Sequence, residues 1–61
     1  LKEEITGALE RGERNFQTQK YLKAFNEYRT VIMLTNDPNN KNAQLAKQRI
    51  EAIRLILMNN R

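Results

Sequence analysis

The 61-residue chain has no cysteine, no histidine and no tryptophan, a single proline, two glycines and four aromatic rings. Each shortage excludes something. Without cysteine there is no disulfide and no thiol nucleophile. Without histidine there is no imidazole to act as a general base near neutral pH. Carboxylates alone, with no His or Cys beside them, make a poor transition-metal set, so no metal or cofactor site is expected. Gly7 and Gly12 stand apart and form no phosphate-cradling loop. No apolar run approaches the about 20 residues needed to span a bilayer; no signal peptide is present either, but a domain excised from a longer chain would not show one. The expectation is a protein that is not an enzyme. Glu3, Glu4, Glu10 and Glu13 read as favourable charges in early helical turns. The eight asparagines read as caps and loops.

What remains is one small unit. A chain this short buries only about 60% of its unfolded surface, so it depends on well-formed helices, a partner or neighbouring chain segments. Leu1 is not an initiator methionine, and the chain stops at Asn59-Asn60-Arg61 directly after an apolar run. This reads as a single domain, 1–61, cut from a larger protein. The net charge of +4 is uneven. Residues 1–18 sum to −1, 19–36 to +2 and 37–61 to +3, which biases the second half toward acidic partners.

Apolar spacing sets the organisation. Leu1, Ile5, Ala8, Leu9, Gly12 and Phe16 recur at steps of three and four, one face of a helix. Gln17 to Lys20 is a polar break, with Thr18 placed to cap the next helix. Tyr21, Ala24, Phe25, Tyr28, Val31, Ile32 and Thr35 form a second face. The all-round apolar run Val31 to Leu34 predicts that this helix is covered on more than one side. Asn36-Asp37-Pro38-Asn39-Asn40 is the strongest break. Pro38 disfavours helix at Asp37, and Asn39 or Asn40 can cap a third helix. That helix carries Ala43, Ala46, Ile50, Ile53 and Leu57 on one stripe and Leu45, Ala52 and Ile56 on the next. Glu10–Arg14, Lys23–Glu27 and Lys47–Glu51 are four apart and can pair. There is no strand pattern. The fold class is all-α: three antiparallel helices, about 2–18, 20–36 and 40–59.

These residues resemble the tetratricopeptide repeat. Ala8, Gly12, Phe16, Tyr21, Ala24, Tyr28 and Val31, then Pro38 and Ala43, fall close to that family's helix–turn–helix pattern. The resemblance spans roughly residues 5–43. It implies that Gly12 and Ala24 are the small positions of a close helix crossing, with Phe16, Tyr21 and Tyr28 filling the volume around it. There are departures. Gln19 stands where the family usually has glycine, and Pro38 comes two residues late. Lys47 and Gln48 replace residues a following repeat would need, so the third helix reads as a cap or a degenerate repeat. A generic three-helix bundle needs similar spacing, and the microtubule-interacting-and-trafficking fold uses a similar hairpin.

The resemblance implies a protein–protein interaction module in a scaffold or assembly protein, its units stacking to leave a peptide groove. Thr6, Leu9 and Glu13 would face that groove. Glu13 stands where the carboxylate-clamp subtype has asparagine, and it would repel a carboxylate. Ile53, Leu55, Ile56, Leu57 and Met58 crowd the end of the third helix. Ile53 and Leu57 can face the hairpin, leaving Leu55, Ile56 and Met58 for a partner, a neighbouring repeat or a second copy. A self-associating helical bundle is therefore the alternative. Lys47, Arg54 and Arg61 are seven apart and share one stripe, candidate contacts for an acidic partner. Nucleic-acid binding is a third reading, opposed by the lack of any aromatic after Tyr28 to stack on bases.

Overall fold

The structure is a computed structural model and describes residues 2–59. It contains α1 (Lys2–Gln17), α2 (Tyr21–Thr35) and α3 (Lys41–Asn59), in that order, and no strand among the described residues. Every boundary lies within a residue of the sequence reading, inside the usual fraying of helix ends. The all-α, three-helix class is confirmed.

Local chemistry explains the ends. Glu3 and Glu4 lie in the first turn of α1 and Arg14 in its last, each on the favourable side of the helix dipole. The α1–α2 turn closes as a Schellman motif. Lys20 N donates to Asn15 O at 2.8 Å and Gln19 N to Phe16 O at 3.1 Å. Gln19 adopts φ 65° to allow this. Thr18 does not cap α2: its hydroxyl donates back to the carbonyls of Arg14 and Asn15. The motif uses Thr18 to finish α1, and Lys20 becomes the N-cap of α2 with no side-chain cap bond.

The second turn follows the sequence closely. Asn36 ends α2 in the left-handed conformation at φ 59°, which asparagine tolerates better than most residues. Asp37 Oδ1 accepts from Asn39 N at 3.0 Å, an Asx turn. Asn40 Oδ1 accepts from Asn42 N at 2.8 Å and caps α3.

Packing centres on α2. Both α1 and α3 lie against it, and they approach each other only sparsely. The buried face of α2 is Ala24, Tyr28 and Val31, at steps of four and three. Against it α1 sets Ala8 and Gly12, and α3 sets Ala43, Ala46 and Ile53. Most of these side chains are methyl groups or nothing, so the backbones approach closely and only Tyr28, Ile53 and Val31 bring bulk into the core. Ile5, Leu9, Phe16, Tyr21, Phe25, Ile32 and Ile50 pack around that centre, partly buried. Coverage of α2 from two sides fits the apolar run Val31 to Leu34, but Met33 escapes it at 71% exposure.

Candidate functional site

Of the five residues assigned to the helix crossing, Gly12 meets the ring of Tyr28 and not Ala24, Phe16 meets Tyr21, and Ala24 is buried in the core. Ala24 and Tyr28 have no solvent exposure. Gly12 is buried, and a β-carbon built on it would stand 2.8 Å from Tyr28 Cε1. The missing side chain of Gly12 thus makes room for the Tyr28 ring. Phe16 and Tyr21 meet edge to face across the turn, centroids 5.8 Å apart at 72°.

Around this junction runs a polar network that spacing alone did not reveal. Tyr28 Oη donates to Glu13 Oε1. Arg49 of α3 donates to both oxygens of the same carboxylate, from Nε at 2.9 Å and Nη2 at 3.2 Å. The Arg49 guanidinium also lies 5.2 Å from the centroid of the Phe16 ring, a cation–π arrangement. One carboxylate therefore ties all three helices together. The hydrogen bonds from Arg49 hold Glu13 below its ordinary 4.5, against the upward pull of partial burial, and the Tyr28 hydroxyl adds to the lowering. Burial pushes Tyr28 well above its ordinary 10, and the bond to Glu13 and its negative charge reinforce this. Hydrogen bonding to Glu13 raises Arg49 further.

This arrangement changes the place of the proposed groove residues. Glu13 is engaged inside the fold, so it is not a free groove carboxylate. Leu9 packs on the core. Thr6 is exposed, but its hydroxyl donates to the carbonyl of Lys2, one turn back. The three do not assemble into a ready polar site.

The charged pairs also differ from the four-apart expectation. Glu27 accepts from Arg11 of α1 at 3.0 Å in place of Lys23. Glu51 accepts from Arg54, three residues on, at 3.1 Å in place of Lys47. Inter-helix geometry brought Arg11 within reach of Glu27, a contact that single-helix spacing cannot anticipate. Of the basic stripe, Lys47 is exposed beside a small hollow edged by Ile32, Asp37 and Pro38. Arg54 is engaged with Glu51, and Arg61 lies outside the described residues.

The apolar end of α3 sorts into two faces. Ile53 is fully buried, as expected, and Ile56 is half-buried. Leu57 is the reverse: expected against the hairpin, it is 40% exposed. The cause is length. At a rise of about 1.5 Å per residue, α3 with 19 residues outruns α2 with 15 by roughly a turn. Leu55 at 59% and Met58 at 64% exposure remain open, three residues apart on one side. Leu57 looks a different way, into a hollow of about 430 Å³ shared with Tyr21 and Leu22 at the start of α2.

Among the described residues no group of His, Cys, Asp and Glu could hold a metal ion, and no helix is long and apolar enough to cross a membrane. No protein-family model, curated protein or solved structure matches the chain.

Proposed function

We propose that the chain is a protein–protein interaction module, similar to the tetratricopeptide repeat, in a scaffold or assembly protein, and that it works by binding and not by catalysis. One observation carries this reading. Three large apolar side chains, Leu55, Leu57 and Met58, stand open within four residues at the end of α3. A helix apolar around most of its circumference but packed on one side only is built to meet something else. The small-residue contact of Gly12 with the Tyr28 ring, and the Phe16–Tyr21 pair at the turn, support the repeat-like part of the reading. The open face of Leu55 and Met58 suits the next helix of a stacked array.

A second reading is favoured by a specific detail. Glu51 and Arg54 lie beside Leu55 and Met58, opposite charges next to an apolar stripe. An antiparallel pairing of two copies along α3 would bring complementary charges together around a buried leucine–methionine contact.

The test is the double substitution Leu55→Asp/Met58→Asp. If these side chains await a partner, the fold does not use them. Its unfolding free energy then stays within about 0.5 kcal/mol of wild type. A loss above about 2 kcal/mol would place both residues in the domain's own core and end the reading. Sedimentation of the two proteins separates the variants of it. A monomeric wild type at high concentration removes self-association. Wild-type oligomers that survive the double substitution show that the contact lies elsewhere.

A further inference from the structure

From the hollow between the start of α2 and the end of α3 we infer the class of partner: an acidic, amphipathic helix of another protein. This assignment rests on the interaction-module reading and gives it a second, chemically defined face.

The hollow is a shallow, open depression lined by Gln19, Lys20, Tyr21, Leu22, Lys23 and Leu57, of which Tyr21, Leu22 and Leu57 are apolar. Leu22 is 70% exposed and Leu57 40%, a substantial apolar area left open to water by two different helices. The rim is basic. Lys20 and Lys23 border the hollow, no acidic residue does, and neither lysine side chain has an ion pair or hydrogen bond among the described residues. The backbone points the same way. The first turn of α2 has no acidic residue and no side-chain cap, so its amide N–H groups add partial positive charge to the same rim. By contrast, α1 begins with Glu3 and Glu4.

This combination selects among occupants. A second copy paired face to face would set Lys20 and Lys23 against their own equivalents, and like charges at a contact oppose association. A phosphate backbone would satisfy the lysines but leave the leucines wet. A depression between two helices accepts the ridge of a third helix. Leucines on that ridge would fill the hollow, and glutamates flanking it would meet Lys20, Lys23 and the open turn of α2.

The experiment titrates the isotopically labelled 61-residue chain with a short helical peptide that has leucines on one face and glutamates on the other. The same peptide with lysines in place of the glutamates runs in parallel, as do anionic lipid vesicles. The acidic peptide is expected to shift the amide resonances of residues 19–23 and 57 and to bind at least about tenfold more tightly than the basic one. Leu57→Ser is expected to weaken it about tenfold, while Met33→Ser, on a different exposed surface, leaves it unchanged. Lys20→Glu/Lys23→Glu is expected to reverse the preference, so that the basic peptide binds and the acidic one does not. Both substitutions place acid at a helix start, where it favours the fold, so loss of binding in this variant cannot be assigned to unfolding. Equal binding of both peptides, no preference reversal, or shifts on vesicles without shifts on the peptide would overturn the assignment. Shifts confined to Leu55, Met58 or α1 would overturn it while leaving the module reading intact. Silence toward every probe overturns it as well, and the module reading is then decided separately by the stability of Leu55→Asp/Met58→Asp.

Discussion

The ring of Tyr28 occupies the space that a side chain on Gly12 would need, with Cε1 of the ring only 2.8 Å from where a β-carbon would stand. Tyr28 is the largest fully buried side chain among the described residues, so this contact sets how closely α1 and α2 approach. Alanine is the better helix former by about 1 kcal/mol, yet Gly12→Ala is expected to destabilise. The ring is hemmed in on all sides and must move, at a cost of about 1–3 kcal/mol. Urea unfolding gives the sign. A double-mutant cycle with Tyr28→Leu gives the cause: the penalty should shrink by about 1 kcal/mol or more once the ring is gone. An unchanged penalty would mean that Gly12 meets something other than Tyr28.

Gln19 lies at φ 65°, in the left-handed region where a side chain costs about 1 kcal/mol and glycine costs none. It is the C′ residue of the Schellman turn, the position most often held by glycine. Gln19→Gly is therefore expected to raise the unfolding free energy by about 0.5 kcal/mol, once the greater freedom of the unfolded glycine chain is subtracted. Asn36 stands in the same conformation at the other turn. Asn36→Ala should lower stability by a similar amount. Thermal melts of the two variants moving in the same direction would contradict this account of both turns.

Gly7 has a different origin from Gly12. A β-carbon there would lie 3.3 Å from Nη1 of Arg11, the far end of a flexible side chain, and no buried ring is involved. Gly7→Ala should therefore recover most of the helix-propensity difference, about 0.5–1 kcal/mol of added stability. A loss would show that the Arg11–Glu27 bridge between α1 and α2 cannot shift by the few tenths of an ångström required.

Periodicity made the helices legible because each buries one stripe, and a stripe is written in the spacing of residues such as Ala24, Tyr28 and Val31. The second turn was legible because Asp37, Pro38 and Asn40 act on their own neighbours. The departures have separate causes. The position of Thr18 before α2 suggests a cap for the helix ahead, yet its hydroxyl turns back to Arg14 and Asn15, a choice decided by the left-handed Gln19. Leu57 lies on the right stripe of α3, but α2 is too short to cover it. The Glu13–Arg49 bond spans 36 positions along the chain. Its members are a solvent-type glutamate and arginine with no local sign that either is needed, and only the placement of α1 and α3 on the two flanks of α2 brings them together.

The cluster of Glu13, Arg49 and Tyr28 makes stability depend on pH at both extremes. Glu13 titrates below its ordinary 4.5 in the fold, chiefly because Arg49 binds the charged form. A depressed carboxylate contributes stability that is present above the ordinary value and is lost as the pH falls through the folded one. The groups are partly exposed, at 31% for Glu13 and 36% for Arg49, so solvent screening keeps the contribution to about 1 kcal/mol or less. Tyr28 has the opposite sign. Its folded value lies above the ordinary 10, so its contribution is present below pH 10 and fades as the pH rises beyond it. Urea unfolding followed by circular dichroism from pH 3 to pH 11 should show a plateau between two declines. Glu13→Gln should lower the plateau and flatten the acid decline. Tyr28→Phe should remove the alkaline decline owed to this group, lower the plateau by about 1 kcal/mol for the lost hydrogen bond, and leave an acid decline, because Arg49 still holds the carboxylate. An acid decline of unchanged depth in Glu13→Gln would show that the three-helix carboxylate is not what acid disarms.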